Sequence, residues 1–369
     1  MTSFARLRSY LFLILLFTSL CAQAQENAWS ADAQFYYGTI LQHNPDIGHL
    51  ITGHPTGAIF SWQRKTYGTA DWEAYFNYPD YGATLTYQNL QNPVLGHAVG
   101  LMAHMNFYFF KRNMQFKVAQ GIAWVSNPYD QFENPRNNAY GTPFTSTTMI
   151  QGMYHRPNVY RGFGFQAGAS IIHYSNANVR APNNSTNTWA FTLGINYQHD
   201  WKEEVEYLPK DTVTDWSEPI HYNFVVRAGI HESDVVRLGQ HPFYAFSAYA
   251  DKRLNKKSSL HAGAELIITP MFTDLVRLQS VRPDNNGRVA GDEDHKRVGI
   301  FVGHELHIGR MSIITQLGYY VYYPFDFEGR VYNRVGLQYK ISDALRAGVS
   351  LRSHGAKAEG ASLNLGYRL

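Results

Sequence analysis

The chain has 369 residues, 15% of them aromatic (Tyr 26, Phe 22, Trp 7) and only 17% charged, with a formal net charge of +3. That balance excludes a disordered chain, which is aromatic-poor and charge-rich, and it leaves no basic footprint for nucleic acid. Beyond residue 24 no apolar run reaches the roughly 20 residues of a spanning helix, so helical membrane proteins are excluded as well.

Residues 1–24 read as a cleaved export signal. Arg6 and Arg8 form a basic start, Leu11 to Leu20 a short apolar stretch, and Ala22-Gln23-Ala24 a small-x-small cleavage site. Cleavage there removes both arginines, which brings the net charge close to neutral, and it removes Cys21, the one cysteine of the chain. The exported remainder therefore has no disulfides and is held by packing and backbone hydrogen bonds.

From residue 31 onward the dominant signal is alternation with period two. Ala361, Leu363, Leu365, Tyr367 and Leu369 alternate with Ser362, Asn364, Gly366 and Arg368. Leu345, Ala347, Val349 and Leu351 alternate with Arg346, Gly348, Ser350 and Arg352, and Val335, Leu337, Tyr339 and Ile341 with Arg334, Gly336, Gln338 and Lys340. Such segments are strands with one apolar and one polar face. They run about 10 residues, the length of a tilted membrane-crossing strand, and many carry aromatic residues near their ends, as interfacial girdles do. The expected class is all-β: a transmembrane antiparallel barrel of the bacterial outer membrane with about 16 strands (14–16). Strand starts are expected near Ala31, Thr56, Tyr81, Leu95, Met114, Thr145, Tyr160 and Thr186. The second set begins near His221, His241, Ser258, His295, Arg310, Arg330, Ala344 and Ala358.

Turns and loops alternate in length. Tight turns are expected at Lys111-Arg112-Asn113, Arg156-Pro157-Asn158, Asn255-Lys256-Lys257, Gly309-Arg310 and Ser342-Asp343, and longer polar loops at 126–144, 176–185 and 270–294. The charged connection 200–219 breaks this rule. It divides an eight-strand unit over 25–199 from residues 220–369, whose strands are expected to complete the same barrel.

The seventh strand carries the chemistry. Its apolar face is Phe163, Phe165, Ala167, Ala169 and Ile171, and the same face continues to His173 and Ser175. On the eighth, Asn187 shares the face of Trp189, Phe191, Leu193 and Ile195. Polar side chains on a lipid-facing wall cost energy, and a histidine beside a serine there suits general-base activation of a nucleophile. The bland alternative is polarity tolerated at headgroup level.

The run His173-Tyr174-Ser175-Asn176-Ala177-Asn178, followed by Pro182-Asn183, resembles the motif of the lipid A 3-O-deacylase (PagL) family, outer-membrane barrels that remove an ester-linked acyl chain from lipid A. The resemblance covers about residues 26–199, and LGYYVYYPFDFEGRVYNRVGLQYK onward resembles the C-terminal part of the long-chain acyloxyacyl hydrolases grouped with it. It implies Ser175 as nucleophile, His173 as base and Asn176 as an oxyanion contributor. Asn178, at a position usually Gly, joins Asn176 as an oxyanion candidate. The family's histidine-orienting Glu aligns with Asn187, and residues 171–199 contain no Asp or Glu. The implied substrate is lipid A of lipopolysaccharide or a related outer-leaflet lipid, with no metal, cofactor or nucleic acid involved.

The alternative is a non-catalytic outer-membrane barrel. As a channel or transporter it would use the basic strip Arg334, Lys340, Arg346, Arg352 and Arg368, which reads equally as a cross-paired lumen wall. As a surface-binding protein it would use its loops, with Asp284, Asp292, Glu293 and Asp294 as cation candidates that lack the spacing of a calcium loop.

Overall fold

The computed structural model describes residues 28–202, 206–208, 216–235 and 238–369. The expected signal lies outside the described residues, as does part of the 200–219 connection. The alternating segments form strands throughout. The first eight are β1 (Trp29–Ile40), β2 (Thr56–Arg64), β3 (Asp80–Asn89), β4 (His97–Phe109), β5 (Met114–Val125), β6 (Phe144–Tyr160), β7 (Phe163–Ser175) and β8 (Thr186–Gln198). The second eight are β9 (His221–His231), β10 (His241–Asn255), β11 (Ser258–Ile268), β12 (Lys296–Ile308), β13 (Met311–Tyr322), β14 (Val331–Lys340), β15 (Leu345–His354) and β16 (Lys357–Arg368).

The strands do not make one barrel. They close as two separate eight-stranded antiparallel barrels, β1–β8 and β9–β16. The cause is edge pairing. β1 takes the free edge of β8 from Ser30↔Gln198 to Ile40↔Thr188, so no edge is left for β9, which pairs β16 instead (Leu363↔Ala228 to Arg368↔Asn223). Alternation fixes which face of a strand is apolar and is silent on which edge closes the ring.

Two local expectations also change. Arg156-Pro157-Asn158 is not a turn, because β6 runs through it with a register shift between Arg156 and Tyr160. The reversal occurs at Arg161-Gly162, both at positive φ. The 270–294 segment is not all loop. It opens with a helix, α2 (Met271–Ser280), after the short α1 (Asp71–Tyr75) of the β2–β3 connection. Met271, Phe272, Leu275 and Val276 form its buried face and pack on Phe325, a spacing that places them on one side of a helix.

An eight-strand ring leaves an interior just wide enough for side chains, and both are filled. In the first barrel Lys117 Nζ sits 3.4 Å from Asp32 Oδ2 and 2.7 Å from Ser61 Oγ. Nearer the long loops the interior turns apolar. Tyr36, Ile59, Met102, Met149, Ile172 and Tyr174 pack there with Ile47, Leu50, Leu95 and Tyr140 from the loops. The second barrel is filled with ion pairs. Arg334 and Arg227 share Glu265 at 2.9 and 3.8 Å, and Arg352 and Arg297 share Glu359, the first at 2.7 Å. Arg346 reaches Glu305 at 3.6 Å and Arg368 reaches Asp251 at 2.8 Å. Lys340 pairs with Asp343 at the exposed rim. The basic strip is thus cross-paired. On the outside of both rings the alternate positions are exposed and apolar, from Phe35, Phe60 and Trp62 to Leu363, Leu365 and Tyr367.

The shared carboxylates give a test. Glu265→Gln leaves the buried Arg227 and Arg334 side by side without their counter-charge, and breaking a buried pair in this way costs about 3–5 kcal/mol. Denaturant titration in detergent micelles should show the loss, and an unchanged midpoint would contradict the pairing.

Candidate active site

β7 and β8 are neighbours in the first ring, and their register sets His173 directly opposite Asn187. Their inward neighbours, Ile172, Tyr174, Thr186 and Thr188, are fully buried. Strand alternation therefore turns His173 and Asn187 to the outside. His173 Nδ1 lies 2.7 Å from Asn187 Oδ1. An amide oxygen only accepts, so Nδ1 carries the proton and Nε2 keeps its lone pair, the tautomer a general base needs.

Ser175 continues the same face, but it does not lie open on the wall. The 176–185 loop folds over it and leaves it 7% exposed. Its Oγ lies 3.0 Å from Asn183 Nδ2 and 3.1 Å from Asn183 Oδ1, and it accepts from the Ala177 N–H at 3.0 Å. The hydroxyl bonds to the loop and not to His173. Residues two apart on a strand sit about 7 Å from each other, and the loop supplies closer partners.

The loop keeps its shape by unusual backbone angles. Ala177 (φ 55°), Asn178 (φ 60°) and Ser185 (φ 57°) are left-handed, and the Ala181-Pro182 bond is cis. Asn tolerates that region better than most residues, which is how Asn178 stands at a position where the motif usually has Gly.

The two side chains expected to bind an oxyanion are committed elsewhere. Asn176 Nδ2 donates to the Arg180 carbonyl at 2.6 Å, and Asn178 Nδ2 to the Ala358 carbonyl of β16 at 2.6 Å. The donors that reach Ser175 Oγ are Asn183 Nδ2 and the Ala177 N–H. Asn183 also accepts from the Asn176 N–H at 2.8 Å and donates to Asn178 Oδ1 at 2.9 Å. It is the residue that sequence reasoning passed over, although the Pro182-Asn183 pair marked its place. His43, after β1, was equally hidden. Its Nε2 lies 3.1 Å from the Asn184 carbonyl and 3.2 Å from Ser185 Oγ, closing the far side of the loop.

Further along the outer wall lies a shallow apolar trough. Gly152, Ala167 and Ala169 form its floor, and Tyr154, Phe191 and Leu193 are among its walls. A Cβ added at Gly152 would meet open space. Ala169 is four residues from His173, about 13 Å along the strand.

The acidic loop offers no comparable centre. Asp284 bonds Arg282 at 3.0 Å, Glu293 accepts the Ala290 and Gly291 N–H groups, and Asp294 accepts from Lys296 N and Tyr322 Oη. These carboxylates are spread over separate partners.

Comparison with known families is decisive for kinship. Residues 56–196 match the family model described as lipid A 3-O-deacylase (PagL), and residues 220–369 match the one described as acyloxyacyl hydrolase, C-terminal domain. The chain belongs to this family. The first matched region runs from β2 into β8 of the first ring and contains the His173–Asn187 hairpin, and the second spans β9–β16. No curated protein matches the chain. Among solved structures the chain is similar to a KdgM porin (8% identity, TM-score 0.19, 74% of this chain and 91% of that one). A mutant of the Rh. blastica porin is another (8% identity, TM-score 0.17, 92% and 99%). Scores this low bear on neither fold nor function.

The His173–Asn187 pair predicts an observable tautomer. Long-range ¹⁵N–¹H correlation of the His173 ring should show the proton on Nδ1 in the wild type, and Asn187→Ala should shift the population toward Nε2–H. An Nε2–H ring in the wild type would overturn the pairing.

Proposed function

We propose that the chain is an outer-membrane esterase that removes an ester-linked acyl chain from lipid A of lipopolysaccharide, or from a related outer-leaflet lipid. The observation that carries this reading is the His173–Asn187 pair on the outer wall of a deacylase-family barrel, beside a serine on the same strand. Export through a cleaved signal at 1–24 and the exposed apolar residues around both rings support the location. The filled interiors favour it over a channel.

In the proposed mechanism Ser175 Oγ turns from Asn183 toward His173 and attacks the ester carbonyl carbon. His173 Nε2 takes the hydroxyl proton, and the carbonyl oxygen becomes an oxyanion. Asn183 Nδ2 and the Ala177 N–H are the nearest donors for it, and Asn176 and Asn178 hold the loop that carries them. Collapse of the intermediate breaks the ester C–O bond, and the imidazolium returns its proton to the departing lipid alkoxide. Water, activated by the same histidine, then releases the fatty acid and restores the serine. Asn187 holds the ring through Nδ1. The trough beside Ala169 and Gly152 would take the tail of the acyl chain.

A neutral Asn187 orients the imidazole but supplies no charge to the imidazolium. Asn187→Glu should therefore raise the rate, by roughly tenfold or more. Mass spectrometry of lipid A from cells making the wild type, Ser175→Ala or Asn187→Glu checks both points. The wild type should remove one acyl chain, Ser175→Ala none, and Asn187→Glu the same chain faster. Removal by Ser175→Ala, or full acylation in every strain, would sink the mechanism.

A further inference from the structure

The 176–185 loop is held from outside its own ring. We propose that the second barrel fixes the geometry of the serine loop through Glu232, a positioning residue supplied by the β9–β10 connection. This rests on the esterase reading above for its catalytic consequence, while the brace itself stands on the contacts.

Four hydrogen bonds cross from the second ring to residues 178–181. Glu232 Oε2 accepts from the Ala181 N–H at 3.0 Å, and the Glu232 N–H donates to the Asn178 carbonyl at 2.7 Å. Gln240 Nε2 donates to the Val179 carbonyl at 2.7 Å, and the Ala358 carbonyl of β16 accepts from Asn178 Nδ2. They come from two places in the second ring, Glu232 and Gln240 of the β9–β10 connection and Ala358 of β16, and converge on Asn178, Val179 and Ala181.

These bonds land where the loop cannot satisfy itself. Ala181 is 7% exposed and Glu232 8%, so the Ala181 N–H has no free access to water. An unpaired buried N–H is costly, and a carboxylate is among the strongest acceptors for one. The consequence reaches the serine in two steps. Asn178, clamped on its carbonyl by Glu232 and on its amide by Ala358, accepts from Asn183 Nδ2. That same amide faces Ser175 Oγ. The left-handed Ala177 and Asn178 make this arrangement one of few the loop can adopt, and release of its outer side lets it relax.

The role differs from that of the missing family Glu. Glu232 bonds backbone, not His173, so it acts on the place of the hydroxyl and its oxyanion donors rather than on imidazole charge. Hairpin geometry that moves by about 1 Å can cost on the order of 100-fold in rate.

The test uses the full chain, wild type and with Glu232→Ala, Glu232→Gln, Gln240→Ala or Ser175→Ala, refolded in detergent micelles with purified lipid A as substrate. Fatty-acid release gives kcat and KM, and hydrogen exchange read by mass spectrometry follows peptides over 176–185. Glu232→Ala should speed exchange in that loop, leave β9–β16 protected as in the wild type, and lower kcat roughly 10- to 100-fold with KM within about twofold. Glu232→Gln keeps an acceptor oxygen and should restore both readouts to near wild type. Gln240→Ala, at an exposed side chain, should give a smaller change in the same direction and serves if Glu232→Ala does not fold. Loop exchange unchanged in Glu232→Ala would overturn the brace. Faster exchange with unchanged kcat would overturn its catalytic consequence. A wild type as inactive as Ser175→Ala would instead refute the esterase reading, with the exchange data still deciding the brace.

Discussion

Among the described residues every strand is paired on both sides within one of two closed rings, and the rest of the structure follows from that. Backbone N–H and C=O groups on an open edge would be left without partners beside the apolar band that encircles each ring, or would template pairing with another chain. Closing after eight strands satisfies the edges twice over in one chain. It also fixes the bore. A ring of eight is narrow enough for side chains to fill, and in both rings inward side chains fill it. The first ring solves this with an apolar cap and a few polar pairs. The second does so with guanidiniums shared by carboxylates, a solution that holds only while each carboxylate keeps both partners.

A filled interior forces chemistry to the outside or to the loops. His173 and Asn187 obey strand alternation and project outward, while their neighbours Tyr174 and Thr186 anchor the hairpin in the cap beneath. The candidate base is thus carried by rigid strands. The candidate nucleophile is on the last residue of β7, where the strand gives way to a loop, and its hydroxyl answers to Asn183. The two halves of the site are held by different means, register for the base and loop hydrogen bonds for the serine.

Much of this was legible in the sequence. Strand starts fall within about three residues of those expected from alternation, because a strand with one apolar and one polar face must alternate. The motif around His173 was legible for the same reason: polar residues continued an apolar face. Three features were not. Ring closure depends on which edges meet, and β8 pairs with a strand more than 140 residues earlier by numbering, which no local pattern records. α2 was hidden because its four buried apolar residues precede a strongly polar stretch that set the tone of the segment. Glu232 was hidden because it acts on a loop about 50 residues away, through a backbone N–H that carries no side-chain signature.

Asn187 is the point at which structure and kinship pull against each other, and the geometry indicates how both can hold. What a carboxylate at that position contributes has two parts, the direction of the ring and the charge opposite the imidazolium. The 2.7 Å bond from Nδ1 to the amide oxygen supplies the first in full. The second is absent, and residues 171–199 hold no acid to replace it. On the proposed mechanism the barrier then rests more heavily on what does not require charge at the histidine: the loop that carries the serine, and the Asn183 and Ala177 donors beside its hydroxyl. Those are properties of the 176–185 loop. Asn183 and His43 hold that loop from within the first ring, and Glu232, Gln240 and Ala358 hold residues 178–181 from the second. On the proposed brace the second barrel takes part in the site's geometry, and a neutral residue at position 187 is set against rigidity delivered from residue 232.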